Sequence, residues 1–296
     1  KQKGFIKGAF SQYLSPTVID QIVENPDMLQ LGGEKREMTP FFSDIQGFST
    51  ISEGLTPEEL VQLLNEYLTA MCDIVSSYHG TIDKFEGDAI IAFWGAPLEL
   101  PDHATVACHA AIDMQKRNEE MRKTLREQNR PMLYTRIGMS SGSVVVGNMG
   151  SADRMDYTMM GDVVNLAARL EGVNKFYQTF TMISQSTYDL TKDDIDTRQL
   201  DVIRVVGKKE PISVYEVLER KNQTSSEKSG VVEKYLKALK LYEERNFADA
   251  SKEFEKVLAI DPDDGPSKTY VKRCGVFLET PPEKDWDGVY TFTEKG

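Results

Sequence analysis

Apolar positions along the chain follow two rhythms, and their alternation sketches the fold. Over 8–25, Phe10, Tyr13, Leu14, Val18, Ile19 and Ile22 recur at helical spacing, with Ser15-Pro16 as a break or second start. Residues 26–38, rich in glycine and charge (Gly32-Gly33-Glu34-Lys35-Arg36-Glu37), read as a connector. An apolar run predicts a strand over 38–45, where Pro40 favours an edge or entry position because proline cannot donate to a ladder. Thr56-Pro57-Glu58-Glu59 marks a helix start, with the threonine as N-cap and proline at the first helical position. Leu60, Leu63, Leu64, Tyr67, Leu68 and Met71 form the apolar stripe of that helix. Residues 80–85 and 89–94 predict two strands joined by Glu86-Gly87-Asp88, and 102–127 a long helix with Ala107, Ala110, Ala111 and Met114 on one side. Strands follow over 133–140 and 143–148 around Ser141-Gly142, with another at Tyr157-Thr158. A helix is predicted over 162–172 and a hairpin within 204–218 around Gly207-Lys208. From residue 38 the order is β-α-β-β-α-β. That is the split arrangement of an α+β, ferredoxin-like domain, an antiparallel sheet with helices on one face.

The end of the chain differs. Residues 220–230, including the polar run NQTSSEKSG, read as a linker. Over 231–280, Ala238, Leu241, Phe247, Ala250, Phe254, Val257 and Pro262 fall on the small and aromatic positions of one tetratricopeptide repeat. One repeat cannot bury both of its faces, so this segment must pack on 271–278, on the main domain or on a partner protein. The plainer reading is a helical hairpin that closes the domain. The division expected is therefore 1–36 as N-terminal helix and connector, 37–219 as the main domain, the linker, the helical segment, and 281–296 as a tail.

Composition narrows the function. Across 296 residues, 35 Lys and Arg stand against 47 Asp and Glu, a formal charge of -12. Nucleic acid and anionic membrane surfaces both need a basic face, so neither is an expected partner. A polyanionic substrate stays compatible with this charge if metal ions bridge it. Cys72, Cys108 and Cys274 lie far apart without a CxxC pair, which argues against a disulfide framework or zinc site and for a reducing compartment. The longest apolar run, 89–98, is about half a membrane span and holds Gly95 and Pro97. No signal peptide is read, and a start at Lys1 rather than methionine reads as a fragment.

Two carboxylates stand out as chemistry. Asp44 ends the strand over 38–45, and Asp88 sits at the turn between the next two strands. In a split sheet these places are neighbours on adjacent central strands. Two carboxylates facing one point repel unless a hard divalent cation lies between them, and Mg²⁺ takes one or two carboxylates with phosphate oxygens and water. As isolated residues they are equally compatible with turn chemistry. Asp44-Ile45-Gln46-Gly47-Phe48 enters a helix, and its glycine turn can aim backbone N–H groups, at Gly47 and Phe48, toward phosphate. No GxxxxGK[ST] or GxGxxG loop is present. Asn165 and Arg169, four apart on one helix, share a face that can orient a ribose and hold a charged phosphoryl group, although on a solvated helix such a pair would be unremarkable.

Taken together, the segments FSDIQGFS, DKFEGDAIIAFWG, RIGMSSGSVVVGNMG and YTMMGDVVNLAARLE, in that order and spacing over about residues 34 to 218, resemble the class III nucleotidyl cyclases, the adenylate and guanylate cyclase family. The resemblance implies that Asp44, Asp88 and the Ile45 carbonyl hold two Mg²⁺ or Mn²⁺ ions per site. It implies that Lys84 and Thr158 read the purine. A lysine only donates and adenine N1 accepts, while a threonine hydroxyl can accept from the adenine amino group, so Lys84 favours ATP over GTP. It further implies that Asn165 orients the ribose, that Arg169 stabilises transition-state charge, and that Arg136 contacts the triphosphate. One position departs: where many members carry a second phosphate lysine, this chain has Val206, followed by Gly207-Lys208-Lys209. His79, His103 and His109 fall outside these segments and read as structural.

In this family the site is shared. One copy supplies Asp44, Asp88 and Arg136 and the other Lys84, Thr158, Asn165 and Arg169, so the resemblance implies a twofold homodimer with two equivalent sites. The expected activity is cyclisation of ATP to 3′,5′-cyclic AMP and pyrophosphate, in cytoplasmic signalling. Leads like SQYLSPTVIDQI often follow membrane-anchored sensors in the family, which makes this chain the cytoplasmic part of one by analogy, with no membrane insertion of its own. The competing expectations are a guanylate cyclase, a catalytically dead nucleotide-binding module, and an adaptor acting through its helical segment.

Overall fold

A computed structural model describes residues 18–19, 24, 30–151, 153–205 and 210–292. Most of the predicted helix over 8–25 therefore lies outside the described residues.

The first strand, β1 (Gly32–Ile45), has 14 residues and starts well before the strand predicted over 38–45. Its first half, predicted as connector, is largely exposed and pairs with β5 (Gly142–Gly150), from Gly32 opposite Asn148 to Met38 opposite Gly142. Glycines permit that ladder: a Cβ on Gly147 would lie 2.2 Å from the Gly32 carbonyl oxygen. The second half of β1 is the centre of the domain. It lies antiparallel between β3 (Ala89–Trp94) and β4 (Thr135–Met139), and β2 (Thr81–Glu86) borders β3. The order β4-β1-β3-β2 is that of the split β-α-β arrangement. Beyond β4 the sheet continues through β7 (Thr181–Ser184), β9 (Ile212–Arg220), β8 (Ile195–Arg204) and β10 (Tyr290–Thr291). β7 runs parallel to β4, so the sheet is mixed rather than purely antiparallel. Among the described residues, β6 (Met155–Met160) pairs only with β5, forming with it an arm that folds over the face of β3.

The helices between these strands are α1 (Phe48–Glu53), α2 (Pro57–Ser77), α3 (His103–Glu127), α4 (Asp162–Tyr177) and α5 (Gln185–Thr191). The expected cap of α2 forms: Thr56 and Glu59 bond reciprocally, backbone to side chain, with Pro57 at the first position. Helices α2 and α3 cover one face of the sheet, where Phe41, Tyr67, Trp94, Ile137 and Ile183 share a core. The opposite face is covered as well, which puts helices on both faces rather than the one expected. Alternation along β7 and β9 sends Met182 and Val214 to that side, against Leu170, Val173 and Tyr177 of α4. The same core takes in α6 (Ser226–Glu243), α7 (Phe247–Ile260) and α8 (Gly265–Glu279) through Tyr235, Tyr242, Phe254 and Tyr270. The polar run expected as a linker is already helical from Ser226, capped by Ser225. The segment is thus a three-helix layer on α4 and β8 rather than a module on a tether.

The helix α4 is seated on β4 by backbone contact. A Cβ on Gly138 would lie 2.1 Å from the Glu171 nitrogen and 2.3 Å from the Ala167 oxygen. Buried Asn174 donates across the same gap to the Ile137 carbonyl at 2.8 Å. Gly138→Ala is expected to lift α4 from the sheet and cost at least about 1–3 kcal/mol, the usual range for overpacking. Thermal unfolding of the variant reads this directly, and an unchanged Tm would mean that the close approach does not exist.

Candidate active site

The strand pairing places Asp44 within the end of β1 and Asp88 in the turn immediately before β3, beside neighbouring central strands. Gly87, with φ 66°, makes the tight turn that delivers Asp88. The Ile45 amide donates to Asp88 Oδ2 at 2.9 Å, which ties the two strand ends together. Burial pushes the Asp88 carboxyl up to about 6, and Asp44 beside it acts in the same direction, against the Ile45 bond. Across the other side of β1, Arg136 stands opposite Asp44 in register and approaches its carboxylate at 3.2 Å. The Nε of Arg136 donates at 2.9 Å to Glu171 of α4, whose own carboxyl is pushed up to about 7, chiefly by burial. Asp44, Asp88, Arg136 and Glu171 therefore form one charged cluster. Among the described residues no group of three His, Cys, Asp or Glu side chains could hold a metal by itself. A pair of carboxylates that repel each other fits a hard divalent cation that completes its shell with phosphate oxygens and water.

Lys84 and Thr158 meet elsewhere, on β2 and β6. The Thr158 hydroxyl donates to Asp83 Oδ2 at 2.5 Å, and Lys84 Nζ lies 3.6 Å from Asp83 Oδ1. Asn165 is exposed and Arg169 half-buried on α4. Among the described residues, no hydrogen bond or ion pair joins Lys84, Thr158, Asn165 or Arg169 to the acid pair. The exposed apolar side chains Phe85, Val145 and Met160 accompany this second group, with Met160 61% exposed and paired across the arm with Val145. Gly47 starts the six-residue α1 with φ 69°, and Phe48 packs partly into the core against α2. His103 is held by the Thr39 hydroxyl at 2.7 Å, away from both groups. Val206 and Lys208 lie outside the described residues.

Two acids of these clusters escape sequence reading. Glu171 stands two positions from Arg169, on another side of the helix, and no sequence pattern singles it out. Asp83 reads as a partner of neither Lys84 nor Thr158, because strand alternation would send it to the face opposite Lys84. A register shift in β2 between Ile82 and Lys84 leaves Asp83 as the extra residue, and such a bulge re-aims side chains.

Residues 33–219 match the model of the adenylate and guanylate cyclase catalytic domain. Adenylate cyclase 1 of Rhizobium meliloti is 36% identical over 209 residues, 71% of this chain and 31% of that protein. The adenylate cyclase of Anabaena cylindrica is 34% identical over 72% of this chain and 42% of its own length. This chain thus spans less than half the length of either relative. Among solved structures, the adenylyl cyclase CyaB of P. aeruginosa is 38% identical with a TM-score of 0.60, covering 66% of this chain and 100% of that one. The guanylyl cyclase Cya2 is 34% identical with a TM-score of 0.59, covering 65% and 97%.

Proposed function

Because the chain belongs to the adenylate and guanylate cyclase catalytic family, we propose that it converts ATP to 3′,5′-cyclic AMP and pyrophosphate at a site shared by two copies. The observation that carries this reading is the separation of the two groups. The acid pair with Arg136 is one cluster, while Lys84, Thr158, Asn165 and Arg169 stand apart from it beside exposed apolar side chains. A twofold pairing that buries Val145 and Met160 brings one copy's acids toward the other copy's purine-reading face.

Asp44, Asp88 and the Ile45 carbonyl would hold two Mg²⁺ or Mn²⁺ ions, whose chemistry is to acidify the ribose 3′-hydroxyl and neutralise the triphosphate. The chain's own side chains do the rest. Lys84 donates to adenine N1 and Thr158 accepts from the 6-amino group. Asn165 orients the ribose so that its 3′ oxygen faces the α-phosphorus. As that O–P bond forms and the bond to pyrophosphate breaks, the 3′ proton passes to a phosphate oxygen, and Arg169 holds the charge gathering on the α-phosphate oxygens. Arg136 spends Nε on Glu171 and one Nη2 hydrogen on Asp44, and retains donors for the triphosphate. No helix among the described residues is long and apolar enough to cross a membrane, and we read the activity as a cytoplasmic signalling one.

The test is turnover of ATP and of GTP, with Mg²⁺ or Mn²⁺, across a range of protein concentrations. Cyclic AMP is expected as product, with specific activity rising as protein is concentrated, because a lone copy holds half of each site. Preference for GTP would overturn the base assignment. Specific activity independent of concentration, in a chain shown to be monomeric, would overturn the shared site.

A further inference from the structure

The carboxylate of Asp83 lies behind both side chains assigned to the purine, one oxygen toward each. Its side chain is only 3% exposed, so it is reached from within the protein rather than by substrate. The bulge in β2 turns it to the same side as Lys84. Oδ2 accepts the Thr158 hydroxyl at 2.5 Å, while Oδ1 accepts no hydrogen bond and lies 3.6 Å from the Lys84 ammonium.

A hydroxyl has one proton to give and two lone pairs. An ionised carboxylate only accepts, so the Thr158 proton is committed to Asp83 and its hydroxyl faces outward as an acceptor. Adenine presents an amino donor at position 6, which matches. Guanine presents a carbonyl oxygen there, which meets lone pairs. We propose that Asp83 is a specificity-positioning residue: by taking the Thr158 proton and pairing with Lys84, it fixes the hydrogen-bonding sense of the purine pocket and excludes 6-oxopurines. This rests on the reading of Lys84 and Thr158 as the purine-reading pair.

Asp83→Asn keeps the shape but can donate to the Thr158 oxygen through its amide, which frees the hydroxyl to donate outward. The experiment compares kcat/KM for ATP and GTP in the wild type, Asp83→Asn and Thr158→Val. In Asp83→Asn the ATP-to-GTP ratio is expected to fall about tenfold, with gain on GTP as well as loss on ATP, the size expected for relieving one mismatched polar contact. In Thr158→Val the ratio falls through loss on ATP. If the ratio falls in Thr158→Val but holds in Asp83→Asn, or if Asp83→Asn lowers both substrates equally, the role given to Asp83 is wrong and the purine pair stands. If Thr158→Val leaves the ratio unchanged, the purine pair itself is wrong. Should Asp83→Asn fail to fold, inosine triphosphate tests the wild type, since it carries the 6-oxo group without the 2-amino group of guanine. It is expected to be rejected as GTP is, and turnover equal to ATP would overturn the proposal.

Discussion

Asp44→Asn is expected to cut ATP turnover by at least about two to three orders of magnitude, the range for losing one preorganised electrostatic group, while the protein stays folded. The substitution is isosteric, and the Asp44 side chain is 34% exposed, so no buried charge is orphaned. An asparagine oxygen still accepts from Arg136, which stands 3.2 Å away. What disappears is negative charge at the point where Asp88, already pushed up to about 6 by burial and by Asp44, needs a cation. Asn165→Ala removes a group from the other cluster, on α4, and is expected to be inactive for a different reason. Mixing the two inactive chains distinguishes a shared site from a self-contained one. A heterodimer of the two has one site with both defects and one with none. With free exchange, about half the dimers are mixed and half of their sites are intact, so about a quarter of wild-type activity returns. No recovery, with exchange demonstrated by tagged subunits, would sink the shared-site geometry.

What the sequence made legible follows from where its signals are local. Asp44 and Asp88 are found because each closes a strongly apolar strand, and the split order alone makes those strand ends neighbours. Thr56 and Pro57 announce α2 because capping is chemistry within four residues. By contrast, the first half of β1 shows no alternation, being largely exposed, and only its ladder with β5 reveals it as strand. β7 has four residues, and its parallel pairing with β4 is a long-range fact. Asp83 is hidden by a bulge that breaks the two-residue period on which strand reading depends. Glu171 is hidden because its partner, Arg136, comes from a strand 35 residues earlier. The covering of the sheet's second face stays one of several alternatives for the same reason: the aromatic residues of 231–280 advertise a buried stripe without saying what buries it.

That covering carries the largest expected effect on stability. A chain ending at residue 222 is expected to lose cooperative folding, although the family match ends at Arg220's neighbour, residue 219, and related catalytic domains are solved as chains of that extent. Here Leu170, Val173, Tyr177, Leu200 and Val214 share one core with Tyr235, Tyr242, Phe254 and Tyr270. Re-exposing several large side chains costs about 1.5–3 kcal/mol each, a sum comparable with the whole stability of a domain, about 5–15 kcal/mol. Buried charges would be stripped as well. Arg198 donates to Glu216 and to Asp264 at 2.6 Å each, and Arg273 bonds Asp201 at 2.5 Å and the Tyr177 hydroxyl at 3.0 Å. Truncation removes Asp264 and Arg273, leaving Arg198 with one partner and Asp201 without its cation. Arg273→Met in the full chain isolates that second loss: removing one member of a buried pair costs about 3–5 kcal/mol, expected as a clear fall in Tm. Since Tyr177 ends the helix that carries Asn165 and Arg169, the damage reaches the site through α4. A truncated chain with the Tm and activity of the full one would instead make the three helices a passenger and restore the adaptor reading of this segment.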